Sequence, residues 1–169
     1  MENSWPAASQ FIIFVEGGLV NNPADPGKIT NYGISQRSYP DVDIANLTVD
    51  SALDIYRRDY WLKNSCDQLP YPLDILVFDT AVNNGASEAI KFLQRTGGIT
   101  DDGVMGDQTK QAAVNIAQRP HLAIVTYLSY REKFYADLEV SNPTEAQFER
   151  GWLMRALRLL RFLLTGELE

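Results

Sequence analysis

FIIFVEGGLVNNPADPGKITNYGI, residues 11–34, changes character in its middle. Phe11, Ile12, Phe14 and Val15 recur on helical spacing, and Gly17-Gly18 stops that helix, because glycine tolerates left-handed backbone. Beyond it Asn21, Asn22, Pro23, Asp25, Pro26, Gly27, Asn31 and Gly33 crowd together. That is the chemistry of a loop or a short irregular hairpin, not of a helix. One carboxylate, Glu16, is left at the last turn of an apolar helix, facing the glycine-rich stretch.

Outward from this block, helical periodicity dominates. Ser4 is placed to cap the first helix, with Pro6 in its first turn. A second helical stretch is expected from Ile34 to just before Pro40. A third, capped by Thr48, runs to about Tyr60 with Ala52, Leu53, Tyr56 and Tyr60 on one face. Pro70 and Pro72 break the chain before a very apolar helix, Leu73 to Asn83, which reads as the central buried one. Gly85 ends it, and Ala86 to Thr96 form another helix. After a Gly/Asp loop, Gly97 to Gly106, helices are expected from Asp107 to about Arg119, from His121 to Glu139, and beyond Asn142-Pro143. The Leu-rich C-terminal helix with Arg155, Arg158 and Arg161 has two readings, contact with anionic lipid and, preferred, closing the core while its arginines snorkel. There is no β-rich block, repeat or low-complexity linker, so the class is mainly α.

Composition narrows the functions. The 169 residues are 45% apolar and 22% charged, a globular balance, and the formal net charge is −7. That acidity argues against nucleic acid, whose partners carry basic stripes. It also opposes long-range steering to any polyanion, so a polyanionic substrate has to be held by short-range hydrogen bonds and stacking. Cys66 is the single cysteine and His121 the single histidine, which leaves no disulfide and no zinc set of recognisable spacing. Asp101-Asp102-Gly103 lacks the alternating ligands and final Glu of a calcium loop, so no metal and no cofactor is expected. The N-terminus has no basic region, and Phe11 to Val15 is too short for a signal or an anchor. The chain is therefore expected to be made in the cytoplasm.

An acid that protonates a leaving oxygen works best in a partly buried site, where burial favours the neutral carboxyl. Glycosidic cleavage needs such an acid, with a second group on the opposite face to deliver water. Glu16 is the candidate acid. Asp25 follows it by nine positions and Thr30 follows Asp25 by five, an order and spacing similar to the Glu, Asp and Thr of T-even phage lysozymes.

Three runs make the resemblance specific: Val15-Glu16-Gly17-Gly18, Asn22-Pro23-Ala24-Asp25-Pro26-Gly27, and Thr30-Asn31-Tyr32-Gly33-Ile34. Together they resemble the signature of glycoside hydrolase family 108, with Lys28 standing where the family's loop usually has a second glycine. Phe78 to Gly85, with Ala89, Leu93 and Gln94, is similar to the family's downstream segment. Asp102-Gly103-Val104-Met105-Gly106 with Thr109 resembles its peptidoglycan-binding region, and Gly151-Trp152-Leu153 with Arg155 its usual ending.

The resemblance implies a lysozyme-like, two-lobed helical fold, with residues 5–92 as catalytic lobe and 93–169 as a peptidoglycan-binding helical lobe. It implies an N-acetylmuramidase of the phage-endolysin type, a monomer that needs a holin or a secretion system to reach the wall. Glu16 would be the acid, while Asp25 and Thr30 place the water. A hydroxyl has no evident task in a covalent mechanism, so Thr30 points to inversion. Tyr32 and Trp61 are candidates for stacking on sugar. Asp79 and Asn83, one helical turn apart, either line the cleft or serve as buried hydrogen-bonders. The alternatives are a wall-binding module without activity and a lytic transglycosylase, which cuts the same bond without water.

Overall fold

The computed structural model describes residues 4–21 and 29–168. Helix α1 (Trp5–Glu16) leads into three short strands, β1 (Val20–Asn21), β2 (Ile29–Asn31) and β3 (Ile34–Ser35). Helices α2 (Val49–Tyr56), α3 (Leu73–Asn84), α4 (Ala86–Thr96), α5 (Asp107–Ile116), α6 (Pro120–Ser141) and α7 (Glu149–Thr165) follow. The fold is mainly α and lysozyme-like, as expected from the sequence.

Helix α3 is the axis of the molecule. Every residue from Leu73 to Ala81 is buried, the polar Asp74, Asp79 and Thr80 included. A helix apolar on all sides has no solvent face to offer, so it is enclosed by its neighbours. Helices α1, α4 and α6 pack on it. One continuous core then runs from Ala8 and Phe11 in α1 through Leu76 and Phe92 to Leu159 and Leu163 in α7. Gly85, at φ 88°, makes the sharp reversal between α3 and α4.

The three strands form an antiparallel sheet in the order β1-β2-β3. Thr30 is its centre, opposite Val20 on one side and Ser35 on the other. The expected helix from Ile34 to Pro40 is absent: β3 and a run of turns occupy the segment. Its cause is the two-residue reversal Tyr32-Gly33, both with positive φ (49° and 75°). Such a turn matches the twist of a hairpin and sends the chain back along β2. Asn31 then anchors the hairpin, its buried amide donating to the carbonyls of Ile44 and Leu47.

Two helix starts differ in an instructive way. Thr48 caps α2 as expected, its hydroxyl accepting from Ser51 N. Ser4 does not cap α1; its hydroxyl is bonded to the buried carboxyl of Asp74. Helix α2 ends at Tyr56 and continues as a π-helical segment, Arg57–Leu62. The wider turn changes which residues face inward.

Candidate active site

Glu16 is the last residue of α1, released by Gly17 at φ 69°. Its carboxylate is largely covered and makes an ion pair with Arg155 of α7, Nη1 to Oε1 at 2.7 Å. The burial expected of the acid is present, and with it comes a cation. Arg155 does not snorkel. Its Nε and Nη2 donate to Oδ1 of Asp79 at 3.0 and 2.8 Å. The other oxygen of Asp79 accepts from Arg131 Nη1 at 2.6 Å. Four helices thus meet in one alternating chain of charge, Glu16–Arg155–Asp79–Arg131.

Asp79 has no exposed surface. Burial pushes its carboxyl up, but the Arg155 and Arg131 guanidiniums outweigh that and hold it below the usual carboxylate range. Arg155 shows the mirror image: burial works against its charge, and Asp79 and Glu16 outweigh the burial. A buried charge is tolerable when paired on both sides, as each of these inner groups is. Beyond Arg131, the hydroxyl of Tyr135 receives its Nε at 3.3 Å and donates to Asn84 at 3.0 Å. The Tyr135 ring lies parallel to Trp152 of α7, with centroids 4.4 Å apart.

With Oε1 of Glu16 taken by Arg155, Oε2 lies over Gly33. A methyl group built on Gly33 would sit 2.4 Å from that oxygen and 2.6 Å from the Tyr56 hydroxyl. A side chain there would have to displace one of these groups, and the turn needs glycine's left-handed backbone as well. Tyr56 donates to the Tyr32 carbonyl at 2.8 Å. Burial, reinforced by the Glu16 charge, raises the phenol's pKa, so it stays a donor.

Glu16 and Gly33 line a cavity of about 150 Å³ with Ser35, Tyr56, Tyr60 and Asn83. Ser38, Tyr39 and Tyr60 also line a second cavity of about 510 Å³, which continues past Asp59, Lys63 and Gly85. The two are consecutive parts of one groove. Its aromatic wall is fixed in place: Tyr39 donates to Asp59 at 2.9 Å, and Asp59 is held in turn by Arg58. That Arg58 bond, with the Tyr39 hydrogen bond beside it, lowers the Asp59 pKa. Tyr56 and Tyr60 pack with ring centroids 5.7 Å apart. A further apolar cavity of about 480 Å³, beside Ile116 and Leu122, has no carboxylate in its lining and lies away from Glu16. Among the described residues, no three His, Cys, Asp or Glu side chains gather to hold a metal ion.

The residues expected in the site divide as follows. Glu16 and Asn83 line the cavity. Thr30 is directly opposite Ser35 in the sheet, so the two side chains share a face and Ser35 borders the cavity. Asp25 lies outside the described residues. Tyr32 contributes its carbonyl, as the acceptor for Tyr56, from the left-handed turn. Two expectations are corrected. Trp61 is 2% exposed and packed edge-on to Trp5 and Phe78, so it is a core residue and cannot stack on sugar. Asp79 is fully enclosed and touches no cleft; its place is behind Arg155, the buried alternative. Tyr39 and Tyr60 are the groove residues that the sequence reading misses, although the four-residue spacing of Tyr56 and Tyr60 marks a common face.

A largely covered carboxylate, Glu16, thus stands at the end of an aromatic-walled groove in a lysozyme-like helical fold. Residues 9–85 match the family Glycosyl hydrolase 108, and residues 88–157 match Predicted Peptidoglycan domain. Residues 9–85 are thus a glycosyl hydrolase 108 region and residues 88–157 a peptidoglycan region, and the two matches together support a glycoside hydrolase that acts on peptidoglycan. The structure of Brucella abortus SagA is similar, with 29% sequence identity over 95% of this chain and 94% of that one, and a TM-score of 0.79. No curated protein matches the sequence.

Proposed function

We propose that the protein is an N-acetylmuramidase, hydrolysing the β-1,4 bond from N-acetylmuramic acid to N-acetylglucosamine with Glu16 as general acid. The observation that carries this reading is the position of Glu16: its Oε2 lies over Gly33 on the wall of the groove, while Oε1 is anchored by Arg155. The anchored oxygen fixes the carboxyl; the other meets the glycosidic oxygen and donates the proton. General acid catalysis of this kind contributes about 10²–10⁴ in rate.

Water comes from the side of the small sheet. Thr30 and Asp25 hold it against the face of the sugar opposite Glu16, and a displacement by bound water inverts the anomeric centre. Thr30 is supported in this role by its place in the sheet, on the face it shares with Ser35 beside the cavity. Tyr39 and Tyr60 form the platform along which the glycan lies. In this reading residues 5–92 carry the chemistry and 93–169 hold the wall, α4 being common to both. The cellular setting that suits it is lysis of a bacterial wall, as by a phage endolysin.

The test is digestion of purified peptidoglycan with mass spectrometry of the products. Reducing muramic-acid ends support the assignment. Reducing glucosamine ends would mean the other glycosidic bond, and anhydro-muramic ends a transglycosylase. On a defined glycan oligomer, NMR of the first-formed product should show the α anomer. A β product would remove Thr30 and Asp25 from the water-holding role.

A further inference from the structure

The inner side of α7 carries Arg155, Ala156, Leu159, Phe162 and Leu163 into the core. Its outer side is not what a soluble helix presents. Leu153, Met154, Leu157 and Leu164 are each 43–50% exposed, and their spacing of three and four residues puts them in one stripe. Arg150, Arg158 and Arg161 fall in the same stripe, with Glu149 at its N-terminal end the one carboxylate of α7. The apolar surface continues past the helix. Arg158 lies over the ring of Phe14 in α1, 5.8 Å from its centroid, and Phe14 is itself 43% exposed. Phe14 borders a shallow hollow of about 360 Å³, lined almost wholly by apolar groups of Ile13, Val49, Leu53 and Leu168.

We propose that this face, the leucine–arginine stripe of α7 with the hollow beside Phe14, docks the protein on an anionic lipid surface. Charge complementarity selects the occupant. On a chain of net charge −7, this face combines half-exposed leucines with arginines, of which Arg161 is ion-paired with Glu167 at 2.8 Å. A helix with apolar residues and arginines on one side lies in a membrane interface, leucines among the acyl chains and guanidiniums at the headgroups. Among the described residues no helix is long and apolar enough to cross a membrane, so the contact is a surface one. The seventeen residues of α7 give a footprint about 25 Å long at 1.5 Å per residue. Docking leaves the inner side of the helix, and with it the Arg155–Glu16 pair, undisturbed.

Flotation of the full chain with vesicles tests this. Vesicles containing phosphatidylglycerol should bind it at least tenfold more tightly than vesicles of phosphatidylcholine alone, and high salt should abolish the difference. Arg150→Glu with Arg158→Glu should weaken binding by twentyfold or more, at about fivefold for each arginine near a charged surface. Leu153→Asp with Leu157→Asp should weaken it comparably. Both double variants should keep the wild-type circular dichroism and the wild-type rate on soluble peptidoglycan fragments. Equal binding to neutral and anionic vesicles, or no loss in either variant, overturns the proposal. A wild-type dimer in sedimentation that the leucine variant alone dissociates overturns it too, since a second copy would then cover the face.

Discussion

Arg155 reaches Glu16 from 139 residues further along the chain and holds one of its carboxylate oxygens at 2.7 Å. The same guanidinium is fixed from behind by Asp79, and Asp79 by Arg131. Orientation of the Glu16 carboxyl is therefore a property of the packed core. A carboxyl at a frayed helix end before two glycines would otherwise sample several rotamers, and a general acid must be held close to its target to contribute.

Breaking this chain at Arg155 should cost both stability and activity. Arg155→Met leaves Glu16 unanchored and removes one of the two cations that neutralise buried Asp79. Loss of one partner from a buried pair costs about 3–5 kcal/mol, which for a chain of this size lowers the melting temperature by roughly 10 °C. Arg155→Lys should recover only part of either, because a compact ammonium lacks the planar fork that puts Nε and Nη2 on Asp79 and Nη1 on Glu16. Calorimetry and turnover on the three proteins check this; a methionine variant as stable as wild type would show that the ion chain is not structural.

Glu16→Gln separates chemistry from packing. The amide keeps the volume and can still accept from Arg155, but it has no proton to give. Turnover should fall by about 10²–10⁴, with the fold intact by circular dichroism. Activity near wild type would remove Glu16 from the acid role.

What could be read in the sequence was local. The Gly17-Gly18 stop, the Thr48 cap, and the limits of α3 and α4 each depend on residues a few positions apart. The Ile34–Pro40 segment was misread because its fate is decided by the reversal just before it. Trp61 was misplaced because the π-helical segment Arg57–Leu62 turns it into the core while Tyr60 stays on the groove. Asp79 and Arg155 are 76 positions apart, and no local spacing connects them.

Tyr60→Ala should act on binding. An aromatic face contributes about 0.5–1.5 kcal/mol beyond its area, so KM should rise roughly threefold to tenfold while kcat changes little. Steady-state kinetics on a soluble glycan oligomer distinguish this from a catalytic role. A fall confined to kcat would place Tyr60 at the reacting bond, not along the groove.

Two buried aspartates give stability opposite pH dependences. Burial raises Asp74 from 3.8 to about 6, its Ser4 and Ile75 hydrogen bonds only partly opposing it. A carboxyl that protonates more readily folded than unfolded stabilises the fold as pH falls from about 6 towards 4. The full effect of such a shift is about 3 kcal/mol. Asp79 is held low instead, so its contribution is complete above about pH 4 and is lost in stronger acid. The melting temperature should rise from pH 7 to pH 5 and collapse below pH 4. In Asp74→Asn, which keeps an acceptor for Ser4 and Ile75, the rise between pH 7 and 5 should disappear. Its persistence would acquit Asp74.

Gly33→Ala tests the geometry of the proposed acid most directly. At φ 75° an alanine costs about 1–2 kcal/mol of backbone strain, and its methyl would stand 2.4 Å from Glu16 Oε2 and 2.6 Å from the Tyr56 hydroxyl. Tyr56 cannot yield easily, being buried and tied to the same turn through the Tyr32 carbonyl. The carboxylate, the end of a flexible side chain, is the group that moves, and it moves away from the position its ion pair defines. A displacement of about 1 Å at a catalytic group costs on the order of 10² in rate. Gly98→Ala is the control, since Gly98 has φ 65° but nothing within 4 Å of a built methyl. Both variants should lose a few degrees of melting temperature through strain alone, and only Gly33→Ala should lose turnover by two orders of magnitude. Equal activity in the two would show that Glu16 does not depend on the space over Gly33.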